Sequence, residues 1–308
     1  HVQVTGTNLD IVVATKSIAQ VEGSFAVSIN GRLLSDFIRR CDSEFLMVQE
    51  LTGNRICISD IANKTEMSGI GHEEFPPAPE FGTKSGFKIA GRQFKQVIGE
   101  TILFASTDET RYILCGLGVN VKDGVVAATD GRRLCRAPLG ALETAADVEE
   151  GTKILPSFAA QVIFSTIPES VDAQVTFGEN RRMSIAAEAE GFSYRLTSKL
   201  VDGNYPNYQQ VIPKELEKWT PFVVESKAIR PIIGRLAVVT TEKSNSIKIE
   251  LTTGSLQMRS ASPEFGHGDE PLPIEGTTDH AIELGLNPRY LDDVFKSWGD
   301  DKVTLYVK

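Results

Sequence analysis

The chain has 308 residues, 41% hydrophobic and 24% charged, with a net charge of −9. That length exceeds one small core and predicts two or three domains, in a composition that is globular rather than disordered. The acidic balance excludes a protein that coats nucleic acid through overall basicity but leaves room for a local basic surface, and no apolar run approaches the roughly 20 residues that span a bilayer.

From the start, Val2-Gln-Val-Thr5 reads as a strand. A unit then recurs five times: a short strand, a polar or Gly/Pro break, and an amphipathic helix with two adjacent bulky apolar residues. The copies are Phe25–Ile29 with Leu33, Leu34, Phe37 and Ile38; Phe87–Ile89 with Phe94, Val97 and Ile98; Lys153–Leu155 with Phe158, Val162 and Ile163; Phe222–Val224 with Ile229, Ile232 and Ile233; and Ile282–Leu284 with Tyr290, Leu291, Val294 and Phe295. Each apolar set falls on one helical stripe, so each helix is expected to bury one face against a sheet. The apolar pairs begin at Phe37, Val97, Val162, Ile232 and Val294, at intervals of roughly 60 to 70 residues, which predicts duplication.

Between the helices lie alternating strand candidates such as Leu46–Leu51, Ile56–Ile58, Ala173–Phe177, Arg182–Ala186, Ser246–Leu251 and Leu256–Ser260, separated by turn residues. They predict antiparallel meanders and an α+β fold. Two units make a domain of about 130 residues, a comfortable size for one core. Boundaries are expected after the Pro-rich Pro76–Pro79 and near Pro213, dividing the chain into 1–82, 83–213 and 214–308. Asp130-Gly131, between the apolar-leaning runs 125–129 and 134–138, predicts a tight hairpin whose type I′ turn needs positive φ at both central residues.

The expected helical segments 32–41, 92–106, 157–167, 226–240 and 287–298 together carry net positive charge, so the rest of the chain is more acidic than the whole. If they face a common space, Arg39, Arg40, Lys95, Lys227, Arg230 and Arg235 line it with positive potential, a surface for duplex DNA bound through phosphates without sequence readout. The four cysteines, 41, 57, 115 and 135, have no C-x-x-C spacing and are expected to be buried free thiols in a reducing, cytoplasmic setting. His1, His72, His267 and His280 have no metal-ligand spacing, and no phosphate loop, nucleophile elbow or dinucleotide fingerprint occurs. Asp130 and Asp202 each precede Gly, which suits a turn better than acid–base catalysis. No metal, cofactor or enzymatic activity is therefore expected; the competing reading is a hydrolase using Asp130 or Asp202, which a metal-dependent activity or a deep pocket joining those carboxylates would support.

The blocks Val4–Asp10, Thr110-Arg-Tyr-Ile-Leu-Cys-Gly116, Ala128-Thr-Asp-Gly-Arg-Arg-Leu134, Thr197-Ser-Lys-Leu-Val-Asp-Gly-Asn-Tyr-Pro-Asn-Tyr208 and Gly285-Leu-Asn-Pro-Arg-Tyr290, in that order, resemble the bacterial DNA polymerase III beta subunits, the family of beta sliding clamps and processivity factors. The resemblance covers essentially the whole chain. It implies a DNA-clamp fold of three internally duplicated domains per subunit, closed by a second copy into a head-to-tail homodimeric ring around duplex DNA. Relative to the family, the first domain is expected to be represented by its C-terminal part and the third to lack its end. The implied partners are the replicative DNA polymerase, the clamp loader and repair polymerases, each held by a short hydrophobic motif. Its pocket maps onto Leu114, Thr129, Gly131, Arg132, Arg133, Leu134, Pro206, Gln210, Val211, Ser244, Asn287 and Tyr290, and its DNA-contacting loop adds Arg111 and Tyr112. Gln210 and Ser244 stand where many relatives have Arg and an aromatic, Arg132 where His is frequent, and Ile113 where a second Tyr is common. The alternative is a repeat-built peptide-binding scaffold without DNA encirclement, its helices facing separate directions.

Overall fold

The computed structural model describes residues 1–61, 63–79, 82–144, 151–240, 245–299 and 301–308. Among these residues the five α-helices are α1 (Gly31–Ile38), α2 (Gly91–Ile102), α3 (Ser157–Thr166), α4 (Ser226–Val238) and α5 (Pro288–Ser297). Each follows a strand: Val27–Ile29, Thr83–Ala90, Lys153–Pro156, Thr220–Glu225 and Ile282–Leu286. The expected unit is therefore present in all five copies. Two starts are set by asparagine. The Asn30 side chain accepts the N–H groups of Arg32 and Leu33 (3.1 and 3.2 Å), and Asn287 accepts that of Arg289 (2.9 Å) with Pro288 in the first turn. Both caps satisfy N–H groups that have no partner inside a helix, and proline at this position gives up no helical bond.

Two helices bury the expected stripe, Phe94, Val97 and Ile98 on α2 and Ile229, Ile232 and Ile233 on α4, where Leu236 joins them; α5 buries Leu291 and Phe295 but leaves Tyr290 and Val294 half-buried. The other two depart from it. On α3 the buried residues are Ala159, Ala160 and Ile163, whereas Phe158 is 59% exposed. Six of the ten α3 residues are apolar and they spread round most of the helix, so no narrow stripe stands out, and the small Ala159 and Ala160 take the buried side in place of Phe158. Helix α1 buries no residue fully and leaves Leu33 and Ile38 exposed. It also ends at Ile38, so Arg39 caps its C-terminus and Arg40 lies beyond it, outside the helical segment expected through residue 41.

The chain divides into two compact units. The first comprises His1–Phe94, Ala141–Glu150 and Ser165–Leu200. It holds a seven-stranded antiparallel sheet in the order Val2–Thr7, Ile11–Ser17, Phe192–Lys199, Arg182–Ala189, Asp172–Gly178, Thr83–Ala90, Glu143–Thr144. Because Ile11–Ser17 pairs with Phe192–Lys199, this sheet runs through the boundary expected at residue 82, and the unit follows the sheet. Its core gathers Phe87, Val175, Phe177, Ile185 and Leu196, with Phe87 edge-on to Phe94 at 6.3 Å between ring centres. A smaller sheet orders Val27–Ile29, Lys64–Gly71, Arg55–Ser59 and Met47–Leu51.

The second unit comprises Lys95–Gly140, Gly151–Phe164 and Val201–Lys308. One of its sheets orders Leu134–Pro138, Val125–Thr129, Gly116–Asn120 and Lys153–Pro156; another orders Gly266–Pro273, Ser255–Ser262, Ile247–Thr252 and Ile282–Leu286. A three-stranded sheet adds Glu275–Gly276, Thr220–Glu225 and Lys302–Val307. Helices α4 and α5 close a core of Phe222, Val224, Ile233, Leu236, Ile249, Leu256, Met258, Leu291 and Phe295. Every described strand pair in both units is antiparallel, as the meander pattern predicted.

Candidate partner pocket and cationic helices

The hairpin strands Val125–Thr129 and Leu134–Pro138 are in register from the pair Thr129–Leu134, which leaves a four-residue connection. The expected two-residue type I′ turn is not formed: Gly131 has positive φ (84°), Asp130 does not. The cause is local side-chain bonding. Asp130 Oδ1 accepts the N–H groups of Arg132 (2.9 Å) and Arg133 (3.0 Å), while Thr129 Oγ1 accepts that of Gly131 (3.0 Å) and donates to the Arg133 carbonyl (2.6 Å). Asp and Thr here replace backbone turn bonds with their own oxygens. Burial alone would raise the Asp130 carboxyl, but the two N–H groups and the Arg133 guanidinium outweigh it and hold it below the ordinary carboxylate value.

Arg133 is the centre of this site. Its Nε donates to Asp130 Oδ2 (3.0 Å), its Nη1 to Asp293 Oδ2 on α5 (2.6 Å) and its Nη2 to the Leu103 carbonyl just past α2 (2.7 Å). The guanidinium lies 4.3 Å from the Tyr290 ring centre and 5.1 Å from that of Phe104. Through Arg133 the hairpin that carries Thr129, Gly131, Arg132 and Leu134 is tied to Tyr290, one turn along α5 from its cap Asn287. Leu114 is half-buried, its carbonyl accepting the Ser106 N–H (2.9 Å). Pro206, Gln210 and Val211 are exposed on a linker anchored by Tyr205 and Tyr208; the Tyr205 ring fills the space a side chain at Gly118 would need. Burial pushes the Tyr205 hydroxyl up to about 12. Ser244 lies outside the described residues.

Of the residues expected to face DNA, Lys227, Arg230 and Arg235 are on α4. A groove of about 790 Å³ between α4 and α5 is lined by Lys227, Arg230, Arg289 and Asp292 over an apolar floor that includes Pro231 and Ile233. Arg230 Nε donates to Asp292 Oδ1 (3.1 Å), and Arg235 forks onto Glu270. Lys95 Nζ sits 5.6 Å from the Phe164 ring centre. Arg111 is committed to the hairpin, donating to the Asp130 carbonyl (2.7 Å) and to Asp108 (3.1 Å), while Tyr112 beside it is 57% exposed. Arg39 and Arg40 are exposed in the first unit, with Arg40 Nη1 donating to the Asp36 carbonyl (2.6 Å). Sequence reasoning missed Arg289: in its segment Arg289 and Lys296 are cancelled by Asp292 and Asp293, so net charge hid a cation that the groove exposes.

All four cysteines are free; Cys57 and Cys135 are buried, whereas Cys41 and Cys115 are half-buried rather than buried as expected. Burial pushes the Cys135 thiol up to about 12. Among the described residues no group of three His, Cys, Asp or Glu is placed to hold a metal ion, and no helix is long and apolar enough to cross a membrane.

The model of the DNA polymerase III beta subunit central domain matches residues 88–207, and that of the C-terminal domain matches 209–307. The beta sliding clamp of Rickettsia bellii is 27% identical over 99% of this chain and 82% of its own length; that of Synechococcus elongatus is 27% identical over 100% and 81%. Among solved structures, the DNA polymerase III beta subunit of Pseudomonas aeruginosa superposes with a TM-score of 0.76 at 23% identity, covering 99% of this chain and 82% of that one. The sliding clamp of Bartonella birtlesii bound to griselimycin gives 0.81 at 23%, covering 98% and 80%. Fold and matches define a sliding clamp of DNA replication, an accessory protein and not an enzyme. The chain belongs to the DNA polymerase III beta subunit family.

Proposed function

We propose that two copies of this chain close head to tail into a ring around duplex DNA in the cytoplasm and tether the replicative polymerase, the clamp loader and repair polymerases. In this reading the chain comprises three clamp domains, 1–82, 83–213 and 214–308, a division supported by the family-model matches at 88–207 and 209–307. The observation that carries the DNA contact is the groove between α4 and α5, where Lys227, Arg230 and Arg289 gather on an acidic protein. Such cations contact phosphates without reading bases, which suits a protein that slides because no register is preferred. The partner motif is received by Leu114, Thr129, Gly131, Arg132, Arg133, Leu134, Pro206, Gln210, Val211, Ser244, Asn287 and Tyr290. The griselimycin-bound clamp of Bartonella birtlesii supports a ligand site of this kind, and griselimycin is proposed as a ligand of the same pocket here.

Retention on DNA tests the ring. Loaded on a nicked circular plasmid, the protein is expected to stay bound through a high-salt wash and to be released when the plasmid is cut once. Equal retention on circle and line would favour the scaffold without encirclement.

A further inference from the structure

We propose that Arg133 acts on partners as a positioning residue: it clips the two halves of the pocket into their binding shape instead of contacting the partner with its guanidinium. This rests on the reading of 129–134 with Asn287 and Tyr290 as the partner pocket. Three segments far apart in sequence meet on this side chain, namely the end of α2 at Leu103, the hairpin at Asp130 and α5 at Asp293. Its fork reaches all three because the guanidinium is planar and offers donors in several in-plane directions, which a lysine ammonium does not. Both aromatic neighbours and 13% side-chain exposure leave its charge to these internal partners.

Two features of the pocket depend on this clip. Tyr290 lies directly on the guanidinium, so the position of its ring relative to Gly131 and Leu134 follows from where Arg133 is held. The Asp293 carboxylate, 15% exposed, is the ionic link from α5 to the hairpin. Removing one member of such a buried charged set leaves the others uncompensated and the segments free to separate.

Griselimycin binding to the intact protein tests the idea, measured as equilibrium affinity and as rate constants for Asp293→Asn, Arg133→Lys and the double variant. If the clip only sets the fraction of molecules with a formed pocket, affinity falls in proportion to that fraction. Each single variant is expected to lose about tenfold or more, in the association rate, with dissociation within about twofold of the parent. The double variant should lose no more than the worse single, because both break one device. Asp293→Asn keeps the bonds to Asp130 and Leu103, so it remains informative should Arg133→Lys fold poorly. Parent-like affinity in the single variants, multiplicative loss in the double, or a loss confined to dissociation would overturn the clip. A parent protein that does not bind griselimycin would bring down the pocket reading, and the clip with it.

Discussion

Gly131 holds φ at 84° in the connection between the hairpin strands, and a Cβ there would sit 3.2 Å from Arg111 Nη1. An L-residue in this conformation costs roughly 1–2 kcal/mol from backbone sterics alone, and a branched side chain also has to move Arg111 off the Asp130 carbonyl. Gly131→Val is expected to lower stability by about that much, read as a fall in the denaturation midpoint at unchanged slope, and to weaken griselimycin binding as well; parent-like values for both would show that the connection is not constrained. The glycine was legible in the sequence, since Asp-Gly between apolar-leaning runs calls for positive φ. The loop length was not, because the oxygens of Thr129 and Asp130 bond forward to N–H groups and stretch the turn to four residues. Arg133 was legible only as a pocket residue implied by the family; its partners Leu103 and Asp293 are 30 and 160 residues away, beyond the reach of local pattern.

Helices α4 and α5 carry their cations in company with acids. Arg230 and Asp292 pair at 3.1 Å with 39% of each side chain exposed, so the pair adds little stability, yet it removes one positive charge from the groove that is proposed to meet DNA. A clamp that must slide gains from such partial neutralisation, since each free cation releases counterions and tightens binding. Asp292→Asn is expected to steepen the dependence of log affinity on log salt by about 1, the contribution of one further phosphate contact. An unchanged slope in short-duplex titrations would place Arg230 outside the DNA contact. Strong stripes such as Ile229–Ile232–Ile233–Leu236 made α4 readable from the sequence. On α3, six of the ten residues are apolar and they spread round most of the helix, so periodicity carries little direction, and Phe158 is exposed although the pattern puts it on the expected stripe. Net charge per segment likewise concealed Arg289, because opposite charges on one helix cancel in the sum while occupying different places.

Across the whole molecule, the duplication was legible as recurring apolar pairs, since each copy has to bury its helix against a sheet in the same way. Which strands pair at long range was not: Ile11–Ser17 joins Phe192–Lys199 across some 180 residues, and pairing of that kind leaves no period in the sequence. The same contrast between sum and placement decides how an acidic chain of net charge −9 can hold DNA. If overall charge governed association, any two charge reversals would act alike, whereas a local field depends on where they fall. Lys227→Glu with Arg289→Glu takes the charge from −9 to −13, two for each substitution, inside the groove between α4 and α5. Lys248→Glu with Lys302→Glu reaches the same −13 on exposed strand positions, where the neighbouring residues Ile247, Ile249 and Val303 point toward the core. The first pair is expected to lower affinity for a short duplex at least about tenfold at low salt and to flatten the salt slope by about 2; the second should leave the slope unchanged. Equal losses in the two proteins would mean that the groove has no special part in holding DNA and that long-range repulsion alone sets the affinity.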